Sequence, residues 1–466
     1  MNEPAVVSTW DRRVRALTVG LVAIITLVAF EALAVVTVLP EVAADLHGFA
    51  LYGWATSAFF LGTTLGIVLA GGDTDRAGPA RPFTVGLVCF VIGLLIAAMA
   101  PTMPVLVAAR ALQGVGGGTI PAVAYAAIGR AYPNELHPRV FAVLSTAWVV
   151  PGLGGPALSS LIAEHLGWRW VFGGLLPLTI VFGLIPLRAL RALPAVTRAD
   201  GAEGHSFAVP GGGGGLTVAA VRVTLGAGLV LAALTSRSPL GLPLLAAGLV
   251  CAGGPLRRLL PAGTLRMRPG VPAAVASRGL LTCAFFGADP FVPLSFTAVR
   301  HESTMVAGIA VSGATLCWAA GSWTQARLAG RVQMRSVVTA GLVLVAVGTG
   351  GFATVLLEGV PLAVPVACWG VAGYGIGLSY STIVTLVLAL TPPQRQGEAS
   401  MAVSLTDNLG TAFGAGLGGV AVAASQATGG APTAGLAASF ALTVSLGLVG
   451  ALLVARRLPE DGHAGG

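Results

Sequence analysis

The chain has 466 residues, of which 55% are apolar and 9% charged, with a formal net charge of +8. That balance, with a mean hydropathy of +0.87, excludes a water-soluble globular domain of this size and points to an integral membrane protein. All 26 basic residues are arginine; without lysine no Gly-Lys phosphate loop can form, so ATP is excluded as the energy source and a gradient must drive any work.

In chain order, Arg12, Arg13 and Arg15 precede the first apolar run, 17–39, which reads as a retained first span. Further runs follow at 51–71, 82–100, 104–129, 139–164 and 169–191. Each approaches the roughly twenty residues needed to cross about 30 Å of hydrocarbon as a helix. A polar stretch from Thr197 and the glycine run Gly211 to Gly215 then read as a linker. Two shorter runs, 216–235 and 239–258, separated by Ser236, Arg237 and Ser238, read as a helical hairpin. Six more lie at 272–298, 303–326, 336–357, 361–390, 398–424 and 434–455.

The expected fold is therefore all-α, with fourteen transmembrane helices in three parts. Residues 1–191 form a first six-helix bundle, 192–271 a cytoplasmic linker with two extra helices, and 272–466 a second six-helix bundle with a short tail. With both termini cytoplasmic, 22 of the 26 arginines fall on or near the inner side, the exceptions being Arg110, Arg169, Arg237 and Arg300. The arginines lie at span ends and do not cluster with aromatics, which argues against nucleic-acid binding. The five cysteines all fall in apolar runs without metal-ligand spacing and read as packing residues. External loops are too short for a soluble receptor or enzyme domain.

The last block overlays the first. Ala109 aligns with Pro365 at an offset of 256, placing Gly114 on Gly370, and Arg139 aligns with Glu398 at an offset of 259, placing Gly155 on Gly414. Parallel six-helix repeats are the architecture in which two bundles rock about a central site.

Charges inside apolar runs carry the chemistry. Arg110 lies roughly 9 Å, and Glu31 roughly 12 Å, from the outer ends of their spans at the helical rise per residue. Such charges are costly in a membrane without partners, so the matching depths predict that Arg110 sits close to Glu31. Loading and release of a proton at Glu31 would alter that pairing. Asp289, in FFGADPFVP, and Asp407, in SLTDNLG, are also acids in apolar surroundings. Asp289 and Asp407 each read as a proton or cation site or as a helix hinge.

Three motifs resemble those of the major facilitator superfamily, and within it the fourteen-span drug:proton antiporters. The segment GGDTDRAGPAR supplies Gly71, Asp75, Arg76, Gly78 and Arg81 in the family's pattern, with Pro79 and Ala80 in place of its usual basic pair. The resemblance implies a cytoplasmic gating loop that latches the two bundles when the carrier is open outward. Arg110, Gln113 and Gly114 match a second motif. PGLGGPALSS resembles the antiporter helix through Gly152, Gly155 and Pro156, with Ser159 and Ser160 replacing its glycine pair. Trp168 to Trp170, Trp-Arg-Trp, also looks like this family and suits an interfacial anchor.

From the resemblance, Gln113, Phe285, Phe286, Trp369, Tyr374 and Tyr380 are expected to line the substrate cavity. It implies a proton-coupled exporter of lipophilic or cationic small molecules by alternating access, monomeric and multi-pass in the cell membrane, with no cofactor or metal. Two other readings stay open, a carrier of an endogenous metabolite or lipid and a membrane-embedded lipid-linked transferase.

Overall fold

The structure, a computed structural model, describes residues 11, 14–133, 136–193, 214–236, 238–392, 395–427 and 432–458. Most of the expected linker, from Thr197 through Gly213, lies outside these. Among the described residues every regular element is helical, as a lipid-immersed chain requires if its backbone groups are to be satisfied internally.

The first group comprises α1 (Arg15–Asp45), α2 (Tyr52–Ala77), α3 (Ala80–Ala98), α4 (Met103–Ala131), α5 (His137–Leu166), α6 (Arg169–Gly173) and α7 (Leu175–Ala192). A hairpin follows, α8 (Gly214–Thr235) and α9 (Gly241–Leu259). The second group comprises α10 (Val271–Phe286), α11 (Phe291–Ala298), α12 (Thr304–Leu328), α13 (Met334–Phe352), α14 (Ala363–Ala389), α15 (Gln396–Ala427) and α16 (Pro432–Arg457).

Packing repeats between the two groups. In the first, α1 packs on α5 and α7, α2 and α3 on α4, and α3 on α7; in the second, α10 packs on α15 and α16, α12 and α13 on α14, and α13 on α16. The most extensive contacts between the groups are α2 with α15 and α5 with α12, with smaller ones from α1 to α11 and α12, while α8 leans on α2 and α15. Glycine makes the closest approaches possible. A side chain at Gly114 would run into the Phe59 backbone of α2, and one at Gly373 into the Ala314 backbone of α12.

Ten helical segments among the described residues are long and apolar enough to cross a membrane. The other expected spans, α4, α5, α9 and α15, do not meet that measure; all four are rich in glycine, and α4, α5 and α9 also carry proline. The structure also corrects the eleven-residue loop expected from Gly71 to Arg81. Helix α2 runs on to Ala77, and only Gly78 and Pro79 break the path before α3 begins at Ala80. Gly78 adopts a φ of 77°, a region costly for residues with a Cβ, and Pro79, at a φ of -74°, is the cap from which the next helix starts. Polarity alone read as loop what the backbone continues as helix.

The two ends of the bundle can be assigned from hydrogen bonds. Tyr132, just past α4, bonds Thr18 near the start of α1, and Arg130 donates to the Thr74 carbonyl near the end of α2. At the opposite end the two groups are joined directly. Tyr52 of α2 donates to the Pro290 carbonyl at 2.7 Å, Ser57 to the Ala412 carbonyl at 2.7 Å, and Ser160 of α5 to the Thr304 carbonyl at 3.0 Å. Gly53 and Gly419 meet backbone to backbone at the same level.

Candidate functional site

Arg110 and Gln113 lie three residues apart on α4 and so share one face. That face meets α1. The Arg110 guanidinium forms an ion pair with Glu31 Oε1, with side-chain exposures of 3% and 0%. Gln113 joins both, accepting from Arg110 Nη1 at 3.1 Å and donating to the same Glu31 oxygen at 3.1 Å. Arg110 Nε donates to the Ala55 carbonyl at 3.3 Å, and the guanidinium lies 4.3 Å from the centre of the Phe59 ring. The charge is thus met by a carboxylate, an amide, a carbonyl and an aromatic face. Glu31 Oε2 is buried without any hydrogen-bond partner among the described residues. One oxygen of this carboxyl is therefore held while the other is unmatched.

A second ion pair stands in the other group, with its arginine buried and its carboxylate partly exposed. Arg278 of α10 donates through Nε to Asp407 Oδ1 at 2.9 Å and through Nη1 to the Tyr380 carbonyl at 2.7 Å. The Tyr380 hydroxyl donates to Asp407 Oδ2 at 3.0 Å, and the guanidinium stacks 3.0 Å from the centre of the same ring. Sequence reasoning counted Arg278 among the arginines of the inner side and missed this pairing. A signal was present, since Arg278 is the eighth residue of α10 as Arg110 is the eighth of α4.

Asp289 stands apart from both. It sits in the break between α10 and α11, and Pro290, lacking an N–H, leaves the Phe286 carbonyl without its helical donor. Tyr52 of the first group spans this break, bonding the Pro290 carbonyl and packing on Phe291 with centroids 5.5 Å apart. Asp289 is 8% exposed, and no basic side chain among the described residues pairs with it. The three acids share no partner.

Of the expected cavity residues, Phe285 and Trp369 are buried and stacked on each other at 4.9 Å. Phe286 extends this cluster to Phe60 of α2, at 6.2 Å, and to Trp318 of α12, at 6.1 Å; Trp318 in turn meets Tyr380 at 5.1 Å. An aromatic wall thus runs from the first group to the edge of the Arg278 pair. Phe60 and Trp318 were not picked out from the sequence. Tyr374 is half-buried and joins no ring contact among the described residues.

Of the gating segment, Gly71 lies within α2, Gly78 forms the turn and Arg81 is exposed at the start of α3. The side chains of Asp75 and Arg76 lie outside the described residues. In α5, Gly155 faces Phe30 of α1 and Gly152 faces Thr315 of α12. Ser159 and Ser160 both reach the Pro156 carbonyl at 2.9 Å, and Gly308 of α12 packs on that carbonyl. Ser160 therefore adds a hydrogen bond between the groups that a glycine could not make. Among the described residues no cluster of His, Cys, Asp or Glu could hold a metal ion.

The sequence pattern of the Major Facilitator Superfamily matches residues 19–415. A probable multidrug-efflux transporter of Mycobacterium tuberculosis is 27% identical over 443 residues, covering 91% of this chain and 92% of its own. A multidrug resistance protein B homolog of the same organism is 27% identical over 381 residues, covering 79% of this chain and 68% of its own. The fold is similar to that of a POT family transporter, with a TM-score of 0.70, 15% identity and coverage of 97% and 98%. A pattern match across most of the length, carried on a repeated helical fold, places the chain in the Major Facilitator Superfamily as a multi-pass membrane transporter, not an enzyme.

Proposed function

We propose that the protein is a proton-coupled exporter of lipophilic or cationic small molecules, working by alternating access as a monomer with fourteen spans and both termini cytoplasmic. On that orientation the contacts of Tyr52, Ser57 and Ser160 close the extracellular end. The two six-helix bundles, 1–191 and 272–466, would rock about the aromatic wall, with the 192–271 segment packed at their rim. The multidrug-efflux names of the mycobacterial relatives support the substrate class.

The observation that carries the coupling is Glu31, held by Arg110 and Gln113 through one oxygen with the other unmatched. Protonation removes the attraction to Arg110 and converts the unmatched oxygen from a buried bare acceptor into a neutral hydroxyl. That changes the relative energy of the two bundle arrangements, which is what a coupled carrier requires. Asp289, beside the Tyr52 contact, would assist at its own level, while Asp75, Arg76 and Arg81 would latch the inner side.

Glu31→Gln keeps the shape and removes the proton exchange. In proteoliposomes, substrate movement driven by an imposed pH gradient should fall to the passive level while the variant stays folded. Undiminished driven transport would remove Glu31 from the coupling role.

A further inference from the structure

Helices α8 and α9 are fastened to each other along one stripe of α8. A side chain at Gly226 would strike the Gly248 carbonyl and one at Gly248 the Gly226 carbonyl, and Cys251 of α9 donates to the Arg222 carbonyl at 3.4 Å. The hairpin is therefore one unit.

Another face of α8 covers the seam where the two groups touch. Gly228, Leu231 and Thr235 follow one another at helical spacing. Gly228 lies against Leu61 of α2, Leu231 against Gly416 of α15, and the Thr235 hydroxyl accepts from Trp54 Nε1 of α2 at 3.2 Å. Leu231 is fully buried, and a side chain at Gly416 would crowd both it and Ser57 Oγ, whose hydrogen bond to the Ala412 carbonyl joins the groups.

These ties differ in kind. Thr235 turns its own proton to the Leu231 carbonyl at 2.8 Å, which leaves a lone pair for the Trp54 indole. Leu231, by contrast, only fills the space that a glycine leaves. In a bilayer a lipid chain replaces an apolar contact at little cost, whereas a broken hydrogen bond strands its polar groups. If α2 and α15 part, α8 therefore stays with α2.

We infer that the α8–α9 hairpin is a strap carried by the first group, with Leu231 seated at Gly416 as a releasable peg that favours the arrangement in which the groups touch there. This role rests on the alternating-access reading, and it gives the two extra helices a part in setting the balance between its two arrangements.

The test uses the full chain, with its five cysteines replaced, in lipid nanodiscs. Pairs of spin labels are placed among the exposed positions Leu240 in the hairpin, Met99 in the first group and Glu358 in the second. In a Tyr52→Phe/Ser57→Ala variant, which removes two hydrogen bonds between the groups, the Met99–Glu358 and Leu240–Glu358 distances should both gain a longer component while Leu240–Met99 stays fixed. Leu231→Ala alone should raise the longer component roughly threefold. Leu225→Ala, at an exposed position of α8, should leave it unchanged.

A Leu240–Met99 distance that changes while Leu240–Glu358 stays fixed would overturn the strap and leave alternating access standing. A Met99–Glu358 distance that never changes would sink both. No response to Leu231→Ala, or an equal one to Leu225→Ala, would refute the peg. Should Leu231→Ala fail to fold, Trp54→Phe removes the tie to α2 and should broaden the Leu240–Met99 distances; an unaltered distribution refutes the tie.

Discussion

The Glu31–Arg110 and Arg278–Asp407 pairs are built alike and finished differently. In each, an arginine at the eighth residue of its helix reaches a carboxylate on a neighbouring helix and lies against an aromatic ring. Around Asp407 both oxygens are matched, by Arg278 and by the Tyr380 hydroxyl, and the carboxylate is 22% exposed. Around Glu31 the carboxyl is sealed, and one oxygen has no partner among the described residues. A fully matched carboxylate that touches solvent holds helices together, whereas a sealed, half-matched one is poised to respond to a proton. The same composition can serve as a brace or as a switch, depending on what completes its hydrogen bonds.

The largest expected effect tests the sealed pair. Arg110→Leu leaves Glu31 buried without a counter-charge and should cost about 3–5 kcal/mol in thermal or denaturant unfolding. The double variant Glu31→Leu with Arg110→Leu should regain most of that stability yet show no pH-driven transport, because an apolar pair replaces an ion pair at little cost. Regained transport would show that the pair is only structural.

An intermediate effect is expected at the braced pair. Asp407→Asn removes the charge but keeps the shape, and its partial exposure lets water reach Arg278, so the loss should be about 1–3 kcal/mol. Pairs that lost equal stability would erase the distinction between them. The smallest effect belongs to Tyr380→Phe. It deletes one hydrogen bond to Asp407 while keeping the ring under Arg278, and should cost about 0.5–1.5 kcal/mol by the same unfolding measurement. A larger loss, with pH-driven transport also abolished, would make Asp407 a second switch.

Much of the first site was legible in the sequence, because depth along a span can be counted. Glu31 and Arg110 lie at similar depths, and their cost in an apolar medium demands a partner. The same count was open for Arg278 and was masked by its nearness to a helix end, where arginines are ordinary. Ser160 read as one small residue replacing another; its hydrogen bond to Thr304 depends on how α5 meets α12. Phe60 and Trp318 were ordinary apolar residues until the helices brought them onto one wall. The gating segment was misread in form, since a run of polar residues does not end a helix unless the backbone conformation ends it.

By itself, the sequence determined the features that local chemistry dictates: the membrane as solvent, the apolar helices, the doubled block and the acids that need partners. Hydrophobic length and backbone hydrogen bonding impose those locally, residue by residue. Only the tertiary structure decided which charge meets which, which carboxyl is left half-matched, and where the two groups touch. These depend on helix rotation and close approach at glycine, through contacts between residues as far apart as Tyr52 and Pro290, and no local pattern encodes them.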